Sequence, residues 1–333
     1  MMKENTEKTE QKAGIWATVA AGFELVSTHW WLLVLPFLLD LFYWLGPRLS
    51  LGPLLADLVG AMQAGLGPEA PTESVAMLQS MSEQILTLAP QTNLFTVLSL
   101  PFLGVPGLMA GLVAPAATPL SPAVFGLENI FLVAGLLLLL SAAGLLLAAV
   151  YYGLIARVLH GDNAGTAGIF VNRRLPVYVI RLFVLAGALL LVAVALYIPL
   201  LIVATIFALF SPGLGSLLVM FGMVMIFWLF FYLSFSVQGI VLAGRPVFWS
   251  LLASVRLVQR YLVPALTLFL LTFGLRTLLT WLWLGVDQGN WFTLASIAGH
   301  TFVSTGFVAA TFIFYRDRVL RDPEFGLRER SVA

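Results

Sequence analysis

The sequence predicts an all-α fold, a polytopic membrane helical bundle of about six transmembrane helices with interfacial amphipathic helices beside them. Three observations carry this. Hydrophobic residues make up 60% of the 333 positions and charged residues only 10%, with a mean hydropathy of +1.00, whereas a soluble domain carries about 25% charged residues. Several apolar runs exceed the roughly 20 residues that cross a hydrocarbon core. Leu132 to Tyr151 shows no polar–apolar alternation, so the runs are helices and not strands of a closed barrel.

The same composition excludes several classes of function. The net charge is +1 and no basic tract is present, which argues against a nucleic-acid partner. There is no cysteine, which removes disulfides, thiolate metal sites and cysteine nucleophiles. No cofactor is implied. The expected partners are membrane lipids and other membrane proteins.

Residues 1–13 are polar and mix Lys with Glu, and they read as a disordered cytoplasmic tail. The apolar stretch behind them runs to about Gly46, too long for a signal-peptide core and without a small-residue cleavage pattern, so it reads as retained. Within Gly14 to Thr28, Trp16, Val19, Phe23 and Val26 recur at helical spacing, with Glu24 and Ser27 elsewhere on the helix. That pattern predicts a helix lying in the membrane interface. The first span is then about His29 to Gly46, with Trp30 and Trp31 marking one interface and Trp44 the other.

Residues 14–316 read as one membrane domain, interrupted at 47–127 by an extracytoplasmic, partly membrane-lying insertion. Leu54 to Ala64 suits a short amphipathic helix, and Val75, Leu78, Met81, Ile85 and Leu88 suit a better one. Gln84 to Leu127 carries no charge but holds Pro101, Pro106, Pro115, Pro119 and Pro122. It is apolar enough to enter lipid and too punctuated for one straight helix. A re-entrant or membrane-lying segment is the favoured reading, and a seventh span at residues 94–113 is the alternative. The later spans run about Ile130 to Ala156, Leu182 to Phe210 with Pro199 as a kink, Ser216 to Leu242, Leu262 to Gly285, and Trp291 to Tyr315. Val247 to Tyr261 reads as a second interfacial helix. Residues 317–333 form a cytoplasmic tail.

Basic residues in the short loops set the orientation. With six spans, Lys3, Lys8, Lys12, Arg157, Arg173, Arg174, Arg181, Arg245, Arg256, Arg260, Arg316, Arg318, Arg321, Arg328 and Arg330 fall on one side, and Arg48 alone falls on the other. A seventh span would break this segregation. Both termini are therefore expected in the cytoplasm. The run Ala21 to Trp30 also resembles Ala253 to Leu262, with Ala21, Leu25 and Val26 matching Ala253, Leu257 and Val258. Each run is an interfacial helix leading into a span, the mark of an internal repeat.

The stretch from Gln238 to Val258 places a Gly-rich turn between the end of a span and an Ala/Ser-rich helix carrying Arg256. Gly22 to Val26, with His29, Trp30 and Trp31, looks like its N-terminal counterpart. This resembles the membrane domain attached to some bacterial glycerophosphodiester phosphodiesterases, and related stand-alone six-span proteins. The resemblance implies a six-span fold in a bacterial cytoplasmic membrane. It does not bring the phosphodiesterase activity, because no soluble segment here is long enough for that enzyme's barrel.

Ionisable groups inside spans are costly unless paired or watered. Asp40, Arg276 and His300 qualify, at depths of roughly 9 to 14 Å from the outer ends of their spans. One reading is an Asp40–Arg276 ion pair with His300 nearby, binding an anionic headgroup or relaying a proton. The other is structural glue between spans. Arg48 lies about 12 Å along the axis from Asp40, too far to replace Arg276. Glu24 reads as part of a solvated face, with a pair to Arg256 as the alternative. Arg157, Arg173 and Arg174 are candidates for anionic lipid at about 1 kcal/mol each, or plain topology markers. The glycines of Gly161 to Gly168 lack the Lys-Ser/Thr ending of a phosphate loop. His29, His160 and His300 lie too far apart for a metal site. The expectation is therefore a non-enzymatic integral membrane protein, a scaffold, lipid-organising protein or complex subunit. The alternative is a transporter or permease using Asp40, Arg276 and His300. An enzyme acting on lipid would need a serine such as Ser304 polarised by His300.

Overall fold

The computed structural model describes residues 14–65, 72–111, 113–115, 117–161, 175–285 and 288–321. In chain order its helices are α1 (Ile15–Thr28), α2 (Val34–Leu45), α3 (Gly52–Ala64), α4 (Thr72–Leu88), α5 (Ile130–Leu159), α6 (Leu175–Phe210), α7 (Pro212–Leu233), α8 (Ser236–Val241), α9 (Val247–Arg260), α10 (Leu262–Leu284) and α11 (Thr293–Tyr315). Among the described residues, five helical stretches are long and apolar enough to cross a membrane: α5, α6, Gly213–Val241, Leu262–Trp283 and Thr293–Leu320. The pair Ile15–Thr28 and Trp30–Leu45 makes a sixth only if it is counted as one broken span. The protein is thus a polytopic helical membrane bundle. Pro199, where the sequence suggested a kink, lies inside α6. α11 is the most enclosed span, with 67% of its apolar window buried against 11–22% for the other long spans. Its small residues explain this, since Gly and Ala let neighbouring backbones approach closely.

The chain divides into two compact units. The unit of Trp30–Tyr152 and Leu275–Thr305 contains the insertion. There β1 (Arg48–Ser50) pairs in parallel with β2 (Val124–Gly126), which ties the two ends of the insertion together. Between them the proline-rich chain satisfies its backbone through side chains. Thr92 Oγ1 accepts from the Leu51 N–H at 2.7 Å. Asn93 Oδ1 accepts from Leu49 and Phe95 at 3.4 and 3.2 Å. Ser50 Oγ donates to the Ala89 carbonyl at 3.1 Å. Leu94 and Leu127 bury themselves against Val133 and Leu140 of α5. A Cβ on Gly144 of α5 would lie 2.5 Å from the Leu98 carbonyl oxygen, so only glycine permits this approach. Of residues 94–113, those described form a 3₁₀ turn, Leu94–Ser99, followed by irregular chain and not a spanning helix. Pro101 and Pro106 lack the N–H groups that a continuous helix needs.

The other unit comprises Met1–His29, Gly153–Gly274 and Gly306–Ala333. Gly22 of α1 meets the C-terminal half of α11 backbone to backbone: a Cβ there would lie 2.5 Å from the Gly306 carbonyl oxygen and 2.7 Å from the Ala310 nitrogen. Gln238 Nε2 donates to Thr311 Oγ1 at 2.9 Å. Arg181, expected only to mark topology, donates to the carbonyls of Gly244 and Arg245 at 2.6 and 3.1 Å. It fixes the turn in which Gly244 takes a left-handed φ of 66°.

The repeat suggested by ten residues extends much further. α1 and α9 are each 14 residues long, and the residues that close them, His29 and Tyr261, have φ/ψ of −118/56° and −122/43°. Thr18 Oγ1 donates to the Gly14 carbonyl at 3.2 Å, and Ser250 Oγ to the Pro246 carbonyl at 3.0 Å. In the same register Phe37, Leu38 and Leu39 recur as Phe269, Leu270 and Leu271. α5 and α11 show a second register. Asn129, just before α5, accepts the N–H of Phe131, and Asn290, in the turn before α11, accepts that of Phe292. Ala148 and Ala149 recur as Ala309 and Ala310, and Arg157, Val158 and Leu159 as Arg318, Val319 and Leu320. Matching residues therefore recur in two registers, α1 and α2 with α9 and α10, and α5 with α11, and the long insertion lies between α2 and α5.

Candidate functional site

The sequence singles out Asp40, Arg276 and His300, and all three belong to the insertion-bearing unit. α2 buries Asp40 completely. Its Oδ2 accepts the Leu108 N–H and its Oδ1 the Met109 N–H, both at 2.8 Å. A Cβ on Gly107 would stand 2.7 Å from Asp40 Oδ1, so the glycine makes this approach possible. Among the described residues Asp40 makes no ion pair with Arg276. The expected pair is replaced by backbone donors, which suit a carboxylate because two aligned N–H groups satisfy both oxygens in apolar surroundings. Asp40 thereby anchors the insertion to α2, assisted by Tyr43, whose hydroxyl is hydrogen-bonded to Ser99 Oγ at 2.9 Å.

Arg276 lies on α10, about 12 Å along the axis from its C-terminal end. Its side chain is exposed. It forms no hydrogen bond or ion pair among the described residues, yet lies within electrostatic range of Tyr152, Tyr151, Asp40 and His300. An arginine at the centre of a span costs about 2.5–3.5 kcal/mol on insertion scales.

His300 lies on α11 and is 1% exposed. The Trp283 indole packs edge-on against its ring with centroids 5.5 Å apart. Neither ring nitrogen has a hydrogen-bond partner, and the buried hydroxyls of Thr301 and Ser304 are also without one. Ser304 is thus not hydrogen-bonded to His300. Each such orphaned group costs about 1–3 kcal/mol. Tyr151 and Tyr152, on α5, complete the surroundings. Tyr151 donates to Thr305 Oγ1 at 3.1 Å and Tyr152 to the Gly104 carbonyl at 2.8 Å. The sequence reading missed Tyr151, Tyr152, Thr301 and Trp283. The available signal was the four-residue spacing of Ser296, His300 and Ser304, which puts polar groups along one face of an otherwise apolar helix.

The remaining candidates divide clearly. Arg157 is half-buried in the last turn of α5, while Arg173 and Arg174 lie outside the described residues. Glu24 is exposed, in keeping with a solvated face. Arg48, in β1, is 7% exposed, and its Nε and Nη2 have no partner. Burial alone pushes its guanidinium below the ordinary arginine value.

The fold and these residues together define a multi-pass integral membrane protein with a polar cluster inside its spans. No family model, curated protein or solved structure matches the chain.

Proposed function

We propose that this chain is a non-enzymatic integral membrane protein of a bacterial cytoplasmic membrane, with both termini cytoplasmic, that organises lipid or scaffolds membrane partners through residues 47–127. The carrying observation is the double backbone capture by Asp40. The carboxylate best placed to act as an intramembrane acid or base instead fastens the insertion to α2. The anchored insertion presents Leu58, Met62, Met81, Leu86, Phe102 and Phe125 as exposed apolar side chains, suited to lipid or to another membrane protein. The turn-and-helix pattern of residues 238–258 supports kinship with the six-span proteins that accompany glycerophosphodiester phosphodiesterases. The working division is a single membrane domain over 14–316, with polar tails at 1–13 and 317–333.

Proteoliposomes containing a photoactivatable phospholipid and a lumenal pH dye test this reading. The expected result is label concentrated within residues 52–126 and no proton flux above that of empty liposomes. Evenly spread label together with protein-dependent flux would contradict it. That result would favour the second reading, a transporter, for which the recurring residues and the unpaired Arg276 speak.

A further inference from the structure

The unit of Met1–His29, Gly153–Gly274 and Gly306–Ala333 holds 15 of the 17 Lys and Arg residues but 9 of the 16 Asp and Glu residues, a net charge of +6. Five of its arginines lie on two short stretches that one aromatic ring joins. The Tyr261 ring, at the end of α9, has the Arg260 guanidinium 5.8 Å from its centroid and the Arg318 guanidinium at 5.7 Å. Arg318 also lies 3.9 Å over the Phe314 ring and is buried, so it fastens the end of α11 to Tyr261 through its charge. The turn Arg316–Leu320 continues α11, and Arg321 closes it. Asp317 Oδ1 lies 3.0 Å from Arg316 Nε and 3.3 Å from Arg321 Nη1, so one carboxylate oxygen serves two guanidiniums. Arg256 stands one turn before Arg260 on the same face of α9. The Arg321 side chain is 62% exposed, Arg260 is exposed, and Arg256 and Arg316 are half-buried.

Exposed apolar side chains border these charges. Spacings of three and four put Trp249 and Leu252 on the face of Arg256 and Arg260. Trp249, Leu262, Val263 and Leu320 are all exposed. Guanidiniums edged by exposed apolar groups suit a lipid better than a free anion, because a phosphate meets the charge while acyl chains cover the border. α1, which α9 matches in length and register, carries Glu24 and no basic residue, so the basic face is particular to α9.

We propose that Arg256, Arg260, Arg316 and Arg321, gathered around Tyr261, form a surface site for the headgroup phosphate of an anionic phospholipid. The guanidinium forks take the phosphate oxygens in pairs. Trp249, Leu262 and Val263 lie against the acyl chains. Arginines at the ends of helices also complement the helix dipoles, but that role is indifferent to the lipid. This contact lies on the unit that does not contain the insertion, so it adds a second lipid surface to the one proposed for residues 47–127.

Full-length protein in phosphatidylcholine nanodiscs of rising phosphatidylglycerol content tests the proposal, with thermal unfolding as the readout. A saturable rise in Tm is expected. Each arginine near an anionic surface is worth about a factor of five in affinity, so Arg260→Gln and Arg321→Gln should each raise the half-saturating lipid fraction about fivefold. The two substitutions fall on different elements, which keeps the test readable if one variant fails to fold. Lys8→Gln combined with Lys12→Gln removes charge from the N-terminal tail instead and should leave the half-saturating fraction unchanged. No saturable rise in Tm overturns the site, as does either folded arginine variant titrating like wild type. A tail variant weakened as much as the arginine variants also overturns it, because the response would then report net charge and not a site. Photolabelling of the insertion and the proton-flux assay do not depend on this outcome, so the two proposals fail separately.

Discussion

The N–H groups of Leu108 and Met109 converge on one carboxylate, and without it both would be buried in apolar surroundings. Asp40→Ala should therefore destabilise the protein by about 2–6 kcal/mol, roughly 1–3 for each stranded donor. Thermal unfolding in detergent measures this, and a loss below about 1 kcal/mol would show that the amides find other partners. Gly107→Ala places a methyl 2.7 Å from Asp40 Oδ1 and should cost about 1–3 kcal/mol by forcing the two apart. The sequence marked Asp40 because an ionisable group in a span must be compensated. It could not give the partners, because they are main-chain amides 68 and 69 residues further on and leave no complementary side chain to find. Gly107 was their only trace, one glycine among several in a proline-rich stretch. Arg276 and His300 were legible for the same reason as Asp40. Tyr151 and Tyr152 were not, since a tyrosine in a span reads equally well as lipid contact.

Among the elements, α5 and α11 invite direct comparison because Asn129, just before α5, and Asn290, in the turn before α11, each accept the N–H two residues on. Asn129→Ala should cost about 1 kcal/mol, as loss of a capping oxygen does, and Asn290→Ala less, since its oxygen holds only the turn before α11. The effect should be larger at Asn129, whose bond to the Phe131 N–H is 2.8 Å against 3.3 Å from Phe292 to Asn290. A loss at Asn290 as large as that at Asn129 would contradict this. At the crossing of α1 with α11, Gly22→Val should destabilise by about 1–3 kcal/mol, because its Cβ would overlap the backbone of Gly306 and Ala310. Thermal unfolding again reads the change, and an unaltered Tm would show that the helices separate without cost. The α1–α9 half of the repeat was visible in the sequence because it keeps a single register. The α5–α11 half escaped because the insertion between α2 and α5 shifts the register, so one offset cannot align both.

For the whole molecule, the spans were legible because crossing a bilayer is a local property of about 20 consecutive apolar residues. The path of residues 47–127 was not, since its hydrogen bonds join positions 41 and 44 residues apart through Thr92 and Asn93. The prolines did show that residues 94–113 would not form a straight helix, and the chain there is a 3₁₀ turn with irregular continuation. The proposed function expects six crossings, with the segregation of Lys and Arg setting the insertion on the face opposite both tails. The absence of cysteine makes this directly measurable, because any thiol introduced is the only one in the chain. Single variants Glu4→Cys, Glu83→Cys and Glu329→Cys, exposed to a membrane-impermeant maleimide in intact cells, test the arrangement on which the proposed function stands. Labelling of Glu83→Cys alone, with Glu4→Cys and Glu329→Cys labelled only after permeabilisation, is the predicted result. Labelling of Glu83→Cys together with either tail, or of the tails without it, would contradict the account.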